Sequence, residues 1–317
     1  MKQEDKRLLK PVLLIAAALT AALLLSTLIV TERGDCGENI TWTLRANGRL
    51  TVHGAGQMPD YDAETAPSPF YNRSVVTAEV QEGVASIGNA AFYGCLNMRK
   101  ISLPQSVESI GERAFRGCSR LKTVVIDKDN PAYTFENGTL LSKDGGTLLF
   151  RSQQAGGKEY AVPQGVTGIA AEAFYGCKKL ERVVLPNSIV EIGEGAFRGC
   201  ARLTQIDVPD NADYAFTNGV LYGRNGASLL FCAPAAEKES FTVPESVSRV
   251  GEAAFSGCKA LTSVTLPAGL ESIGKEAFRG CTKLADVYFT GDEAAWNALP
   301  GAVAALADLE NVTVHFE

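Results

Sequence analysis

The chain has 317 residues, 46% of them apolar, and a formal net charge of -6 at neutral pH. Such a length allows one long domain or two ordinary ones, with ample apolar material for a buried core. The acidic balance, with no basic run left over to neutralise phosphates, argues against nucleic acid as a partner.

The first ten residues carry Lys2, Lys6, Arg7 and Lys10 against Glu4 and Asp5, and Pro11 to Val30 is a run of 20 residues without a charge. At ~1.5 Å per helical residue, that run matches the ~30 Å hydrocarbon core of a bilayer. The expectation is a basic cytoplasmic tail over residues 1–10 and a transmembrane helix or signal segment over residues 11–30. The apolar region of a cleaved signal is about 7 to 15 residues long. The greater length here, and the lack of an A-x-A-like site after Val30, favour an uncleaved anchor over a cleaved, secreted form. In both cases the basic flank keeps the N-terminus cytoplasmic and sends the following chain outside.

Residues 36–75 form the first outer module, a β cap in which Trp42 and Leu44 alternate toward Leu50 and Val52 across Asn47-Gly48. That pattern is a hairpin signal. The Pro-rich stretch Ala66-Pro67-Ser68-Pro69-Phe70 then breaks strand pairing. A cap that covers the apolar face of the first coil is one reading; a separate binding module is the other.

From Val84 onward a motif recurs six times: VASIGNAAFYGC, VESIGERAFRGC, VTGIAAEAFYGC, IVEIGEGAFRGC, VSRVGEAAFSGC and LESIGKEAFRGC, ending at Cys95, Cys118, Cys177, Cys200, Cys258 and Cys281. Within each pair the cysteines are 23 residues apart, and between pairs the step is 82 and then 81. Each copy leads into a second signature, seen in full in Cys177-Lys178-Lys179-Leu180-Glu181-Arg182-Val183-Val184-Leu185-Pro186. A period of 23 lies within the roughly 20–29 residues of leucine-rich repeats, whose units bury their apolar faces only against neighbours. The alternating Leu-x-x-Val-x-Leu reads as a short strand stopped by Pro104, Pro186, Pro209 or Pro267. The Ala-Phe-x-Gly segment reads as a short helical or 3₁₀ turn that the chain leaves through Gly. The expected fold is therefore a repeat solenoid over residues 76–290, mainly β with short helical/3₁₀ turns, preceded by one N-terminal transmembrane helix.

Two insertions, residues 127–163 and 209–244, interrupt the coils and are copies of each other, with Tyr133 to Leu140 matching Tyr214 to Leu221. Asp144-Gly145 and Asn225-Gly226 lie between apolar runs, which points to hairpins with primed turns. Residues 291–317 read as a C-terminal cap, in which a helix over residues 293–299 places Trp296 over the open end and Val312 to Phe316 adds a strand. Ligand stacking by Trp296 is the competing reading.

Six of the eight cysteines occupy one equivalent position among apolar neighbours, which suits a reduced, buried ladder. Disulfides within 95/118, 177/200 and 258/281 remain open, because adjacent coils lie about 4.8 Å apart and a disulfide prefers a Cα separation of ~5.5 Å. Cys36 and Cys232 stand outside the ladder, and the counterpart of Cys232 in the other insertion is Arg151. No metal site is expected, since there is no C-x-x-C and His53 and His315 are the only histidines. No cofactor is expected, and no catalytic residue is assigned: the chain has no G-x-S-x-G and no phosphate-binding Gly loop. Glu112, Glu194 and Glu252 recur in phase with the repeat and read as solvated face or turn residues.

With its A-F-[YRS]-G-C, I-G-x-x-A-F and L-x-x-V-x-L-P signatures, residues 84–289 resemble the BspA-like class of bacterial leucine-rich repeats. Residues 36–61, CGENITWTLRANGRLTVHGAGQMPDY, are similar to the opening found before such repeats in gut Firmicutes. The resemblance implies surface display and protein or glycan binding, as in adhesion or envelope contact, with no reaction. The alternative is a passive envelope spacer. Outward strand positions form the possible ligand-contact face: Lys100, Ser102, Thr123, Val125, Arg182, Val184, Gln205, Asp207, Ser263, Thr265, Asp286 and Tyr288. They contain no aromatic cluster and no stripe of one charge, so the partner stays unnamed.

Overall fold

The structure is a computed structural model, and it describes residue 20, residues 24–223 and residues 226–317. The basic tail and most of the expected transmembrane span therefore lie outside the described residues. Among the described residues no helix is long and apolar enough to cross a membrane. Residues 24–28 are helical, and Val30 already belongs to a strand, Val30–Asp35.

Two compact units, Met1–Pro131 and Ala132–Glu317, divide the chain, so the break falls inside the first insertion. In the first unit, six strands form one sheet in the order Val30–Asp35, Ile40–Arg45, Arg49–Gly54, Thr77–Val80, Lys100–Leu103 and Thr123–Ile126. The first three pair antiparallel, with Trp42 opposite Val52 and Leu44 opposite Leu50, as the hairpin pattern requires. From Arg49–Gly54 onward the pairing is parallel, one strand per coil. Period-two alternation then puts Leu50, Val52, Ala78, Val80, Ile101, Leu103 and Val124 in the core. A second, three-stranded sheet of Gly56–Gln57, Val84–Ile87 and Ser109–Ile110 runs along another wall.

The second unit repeats this plan twice. Strands Glu159–Ala161, Arg182–Val184 and Gln205–Asp207 form one parallel sheet, and Ser240–Thr242, Ser263–Leu266, Asp286–Phe289 and Thr313–Phe316 form another. Each insertion is a three-stranded antiparallel meander whose last strand, Thr147–Arg151 or Ser228–Cys232, pairs in parallel with the short strand of the next coil. An insertion thus stands in for a whole coil, giving one rung to each of two walls. The two-residue primed turn is at Asn137-Gly138 and Asn218-Gly219, where both φ angles are positive, and not at the expected Asp144-Gly145; Asn225 of the other expected turn lies outside the described residues. Around Asp144 the loop between Ser142 and Thr147 is longer, and the carboxylate holds it by accepting from Ser142 Oγ and the Gly146 amide at 2.9 Å.

The Ala-Phe-x-Gly segments are turns and do not become helical or 3₁₀. The residue before each Ala-Phe (Ala90, Arg113, Glu172, Gly195, Ala253 and Glu276) has a left-handed φ of 51° to 61°, which breaks any i to i−4 ladder. Freed from helix bonds, alternate amides donate to the next coil: Phe92 to Ala114 at 2.9 Å and Gly94 to Arg116 at 2.9 Å, with the same pattern at Phe174 and Gly176. Gly199 shows why the exit residue is glycine: its φ is 74°, and an added Cβ would come within 3.3 Å of the Gly176 backbone below. The one 3₁₀ helix among the described residues is Pro234–Ala236.

Phenylalanine rings stack through the core of each unit. In the first, Trp42 meets Phe70 edge-on at 5.7 Å, Phe70 stacks on Phe92 at 5.3 Å, and Phe92 on Phe115 at 5.9 Å. In the second, Phe174, Phe197 and Phe231 follow at 5.1 and 5.7 Å, and Phe255 stacks on Phe278 at 5.1 Å. Phe289 then meets Trp296 of α1 (Glu293–Ala298) at 5.5 Å. Asp292 caps that helix by accepting from the Ala295 amide at 2.7 Å, and α2 (Ala302–Leu306) buries Ala302 and Ala305. Trp296 is buried, so it packs as core and offers no open ring face.

Phe197→Ala removes a ring flanked on both sides and is expected to cost roughly 3–5 kcal/mol, whereas Gln205→Ala on the exposed wall is expected to stay within about 0.5 kcal/mol. Urea denaturation of both variants checks this. Equal midpoints would mean that the inward and outward phases are interchanged.

Candidate interaction face

The twelve outward positions fall into three groups of four, one on each parallel sheet. On the first unit, Lys100 lies beside Thr123 and Ser102 beside Val125 in register, while Ile101, Leu103 and Val124 between them are buried. Strands without the Leu-Pro ending extend the same face, adding Arg49, Thr77 and Glu79, with Arg49 paired to Glu79, while Thr51 between them is buried. Sequence reading missed these three because their strands lack the repeat signature, although the alternation of Thr77-Ala78-Glu79-Val80 carries the signal. A shallow groove of about 560 Å³ opens here, lined by Glu79, Gln81, Glu82, Ser102, Val125 and Asp127 among others. Val125 gives it an apolar patch at 40% exposure.

On the second unit, Arg182 is 2.6 Å from Asp207 and 3.6 Å from Glu159, and Gln205 donates to Asp207 at 2.8 Å. Val184 lies beside Asp207 in register. Ser263 neighbours Asp286, and Thr265 neighbours Tyr288, on the four-stranded sheet. The last strand brings His315 to this group: its Nε2 is 2.7 Å from Asp286 Oδ1, and its ring stacks on Tyr288 at 4.7 Å. Nothing local in the sequence linked His315 to Tyr288, because the contact depends on the final strand joining in parallel register.

The cysteines take no part in this face. All eight are free and buried. Each ladder thiol donates to a carbonyl one coil back: Cys118 to Phe92 at 3.1 Å, Cys200 to Phe174 at 3.2 Å, Cys281 to Phe255 at 3.1 Å. Burial pushes the Cys95, Cys177 and Cys281 thiols up to about 12, and holds Cys118 and Cys200 well above the ordinary thiol range. Among the described residues, no group of three or more His, Cys, Asp or Glu is placed to hold a metal ion.

The repeated glutamates depart from the solvated role expected of them. Glu112 is exposed, but Glu194 is half-buried, pairs with Arg249 and accepts from the Glu252 amide at 2.9 Å. Around Arg198, whose side chain is 6% exposed, lie Glu172 at 3.4 Å, Glu252 at 3.7 Å and Glu276. This buried cluster joins coils on either side of the second insertion. Spacing alone could not reveal it, because its members are far apart in the chain and only the stacking of coils brings them together.

The class defined by these features is a leucine-rich repeat solenoid. The BspA type Leucine rich repeat region matches the chain in six copies over residues 64–143, 151–222 and 231–296. The chain belongs to that family. Among solved structures, it is similar to a leucine-rich repeat protein from Eubacterium ventriosum at 23% identity, covering 89% of this chain and 77% of that one with a TM-score of 0.45. It is also similar to a leucine rich cell surface protein from Faecalibacterium prausnitzii, at 18% identity, 83% and 96% coverage and a TM-score of 0.36. The pneumococcal vaccine antigen PcpA is similar at 15% identity, 91% and 99% coverage and a TM-score of 0.42. No curated protein matches the chain.

Two outcomes are expected. Arg198→Ala strands buried carboxylates and should destabilise by roughly 3–5 kcal/mol, whereas Arg182→Ala on the exposed wall should cost no more than about 1 kcal/mol; urea midpoints decide between them. In the reduced protein, Cys118 and Cys200 should resist alkylation until denaturant is added, as read by peptide mapping after a timed thiol-reagent pulse.

Proposed function

We propose that this chain is a membrane-anchored, extracytoplasmic protein that binds a protein or a glycan at the cell surface through its outward strand faces, in adhesion or envelope contact. The observation that carries the reading is the contrast between walls. Inward positions are occupied by a repeating apolar set, while the outward rows differ from coil to coil and, on the first unit, open into a groove holding Ser102 and Val125. Stacked strands with free outward positions give a repeat protein an extended recognition surface.

The anchor rests on the uncharged run over residues 11–30 and its basic flank. The end of that run is tied into the fold. Asn47 donates to the Ser26 carbonyl at 3.2 Å, Ala46 donates to that of Ile29 at 2.9 Å, and Thr31 Oγ1 donates to that of Leu44 at 3.0 Å. Cleavage between residues 26 and 30 would remove acceptors from the first hairpin turn, which favours retention over release. Leu24, Leu25, Leu28 and Ile29 are exposed apolar side chains beside that turn, consistent with a lipid neighbour. A passive spacer is the second reading, favoured by Arg182, whose charge is met within the face by Glu159 and Asp207.

In membranes, the protein is expected to resist carbonate extraction and keep its N-terminus, while added protease reaches the repeats from outside. A mature N-terminus near residue 30, with the protein in the medium, overturns the anchor. Screening the full chain in detergent against surface proteins and glycans tests the binding reading. A binder should lose at least tenfold in affinity to Val125→Arg and be unaffected by Glu310→Ala. If nothing binds, the spacer reading replaces it.

A further inference from the structure

We propose that Cys232 and Cys258 form a latent disulfide site that staples the second insertion to the coil following it. Five ladder thiols (Cys95, Cys118, Cys177, Cys200 and Cys281) donate to carbonyls of Phe70, Phe92, Arg151, Phe174 and Phe255. Cys258 alone among the ladder thiols donates to the carbonyl of another cysteine. Its sulfur lies 3.6 Å from the Cys232 carbonyl oxygen, so the residue it packs against is itself a cysteine. Both residues are buried in one apolar cluster. The Cys232 amide donates to Ala254 at 2.6 Å, which fixes the two rungs side by side.

The two insertions allow an internal comparison. In the first, the equivalent of Cys232 is Arg151, whose guanidinium donates to Thr139 Oγ1 at 3.0 Å and lies over the Tyr160 ring at 3.7 Å. In the second, Thr139 is replaced by Val220 and Tyr160 by Phe241. The guanidinium, the hydroxyl and the phenol are absent together, and what stands in their place is a second cysteine whose carbonyl Cys258 contacts. A small core residue such as Ala would fill the same apolar site, so apolar replacement alone does not account for a second thiol at this point.

The pair is also arranged for exchange. The hydrogen bond from Cys258 favours the thiolate on Cys232 over the ordinary thiol, and Lys238 adds to that effect. With a low-molecular-weight disulfide as oxidant, the Cys232 thiolate attacks one sulfur, its S–S bond breaks and one thiol leaves. The Cys258 sulfur, losing its proton, then displaces the second thiol from Cys232. Two electrons pass to the reagent, and the two protons end on the released thiols. The new bond closes a loop between residues 26 apart and constrains the unfolded chain.

The test is to refold the reduced full chain in detergent within a glutathione redox buffer, so that burial of the folded pair does not limit access. Free thiols are then alkylated and the digest is mapped without reduction. The expected product is one cross-linked peptide pair joining Cys232 to Cys258, two hydrogens lighter than the reduced peptides and split by dithiothreitol. It should persist in Cys281→Ala, vanish in Cys232→Ala, and raise the unfolding midpoint of the wild-type chain over its reduced form. Circular dichroism verifies that the variants fold, and Cys232→Val serves in place of Cys232→Ala if the latter does not. Overturning results are six free ladder thiols with Cys232 also alkylated, or a cross-link joining Cys258 to Cys281 that survives Cys232→Ala.

Discussion

A coil of 23 residues cannot bury its own phenylalanine, and the structure follows from that constraint. Each ring needs the ring of the next coil as its floor, so every wall must advance by one strand spacing, about 4.8 Å, per turn. The observed ring separations of 5.1 to 5.9 Å along the stacked pairs meet that rise with a lateral offset, the arrangement aromatic faces prefer. Other features of the repeat serve the same advance. The left-handed residue before Ala-Phe turns amides toward the neighbouring coil. The exit glycine lets backbone lie on backbone, and the thiol satisfies a carbonyl that the turn leaves pointing inward.

Where the motif fails, other residues keep the same advance. Phe70, in a Pro-rich stretch that looks like a strand breaker, supplies the first ring and the carbonyl that Cys95 needs at 3.5 Å. The insertions have no Ala-Phe-x-Gly-Cys, yet the carbonyls of Arg151 and Cys232 receive the next thiol, and Phe231 takes a place beside Phe197. At the C-terminus Trp296 covers Phe289 edge-on, an aromatic end to an aromatic column. The insertions are therefore coils whose inner contacts are kept while the outer chain is rebuilt as a meander.

What could be read from the sequence divides along the same line. Inward and outward phases, strand ends at proline, the hairpin at Asn47-Gly48 and the closing helix were all legible, because each depends on local alternation or on a residue with one conformational preference. The turns were misread as helical because Ala and Phe suit a helix, and only Gly195 among the six left-handed positions signals otherwise. Phe70 was hidden by its prolines, and the primed turn at Asn137-Gly138 by a second Gly-rich turn nearby. The Arg198 cluster was out of reach because it joins residues brought together only by the rise of several coils, and the His315–Tyr288 stack because it depends on the parallel register of the final strand.

The same constraint bears on how the outer wall can recognise anything. Parallel in-register pairing places each outward side chain beside its equivalent one coil away, and a charge can also be answered diagonally, as Arg182, which lies beside Gln205, is by Asp207. Such a pair satisfies itself and leaves little for a ligand, since exposed pairs are worth at most about 1 kcal/mol but still occupy the donors. Recognition is better served where neighbouring rungs do not match. Ser102 beside Val125 joins a hydroxyl to an apolar side chain that cannot satisfy it, and Thr265 beside Tyr288 joins a small hydroxyl residue to a large ring. Mismatch between adjacent rungs, more than charge or aromatic content taken over the whole face, is therefore the physical criterion that separates a recognising stretch of this solenoid from one that only spaces it.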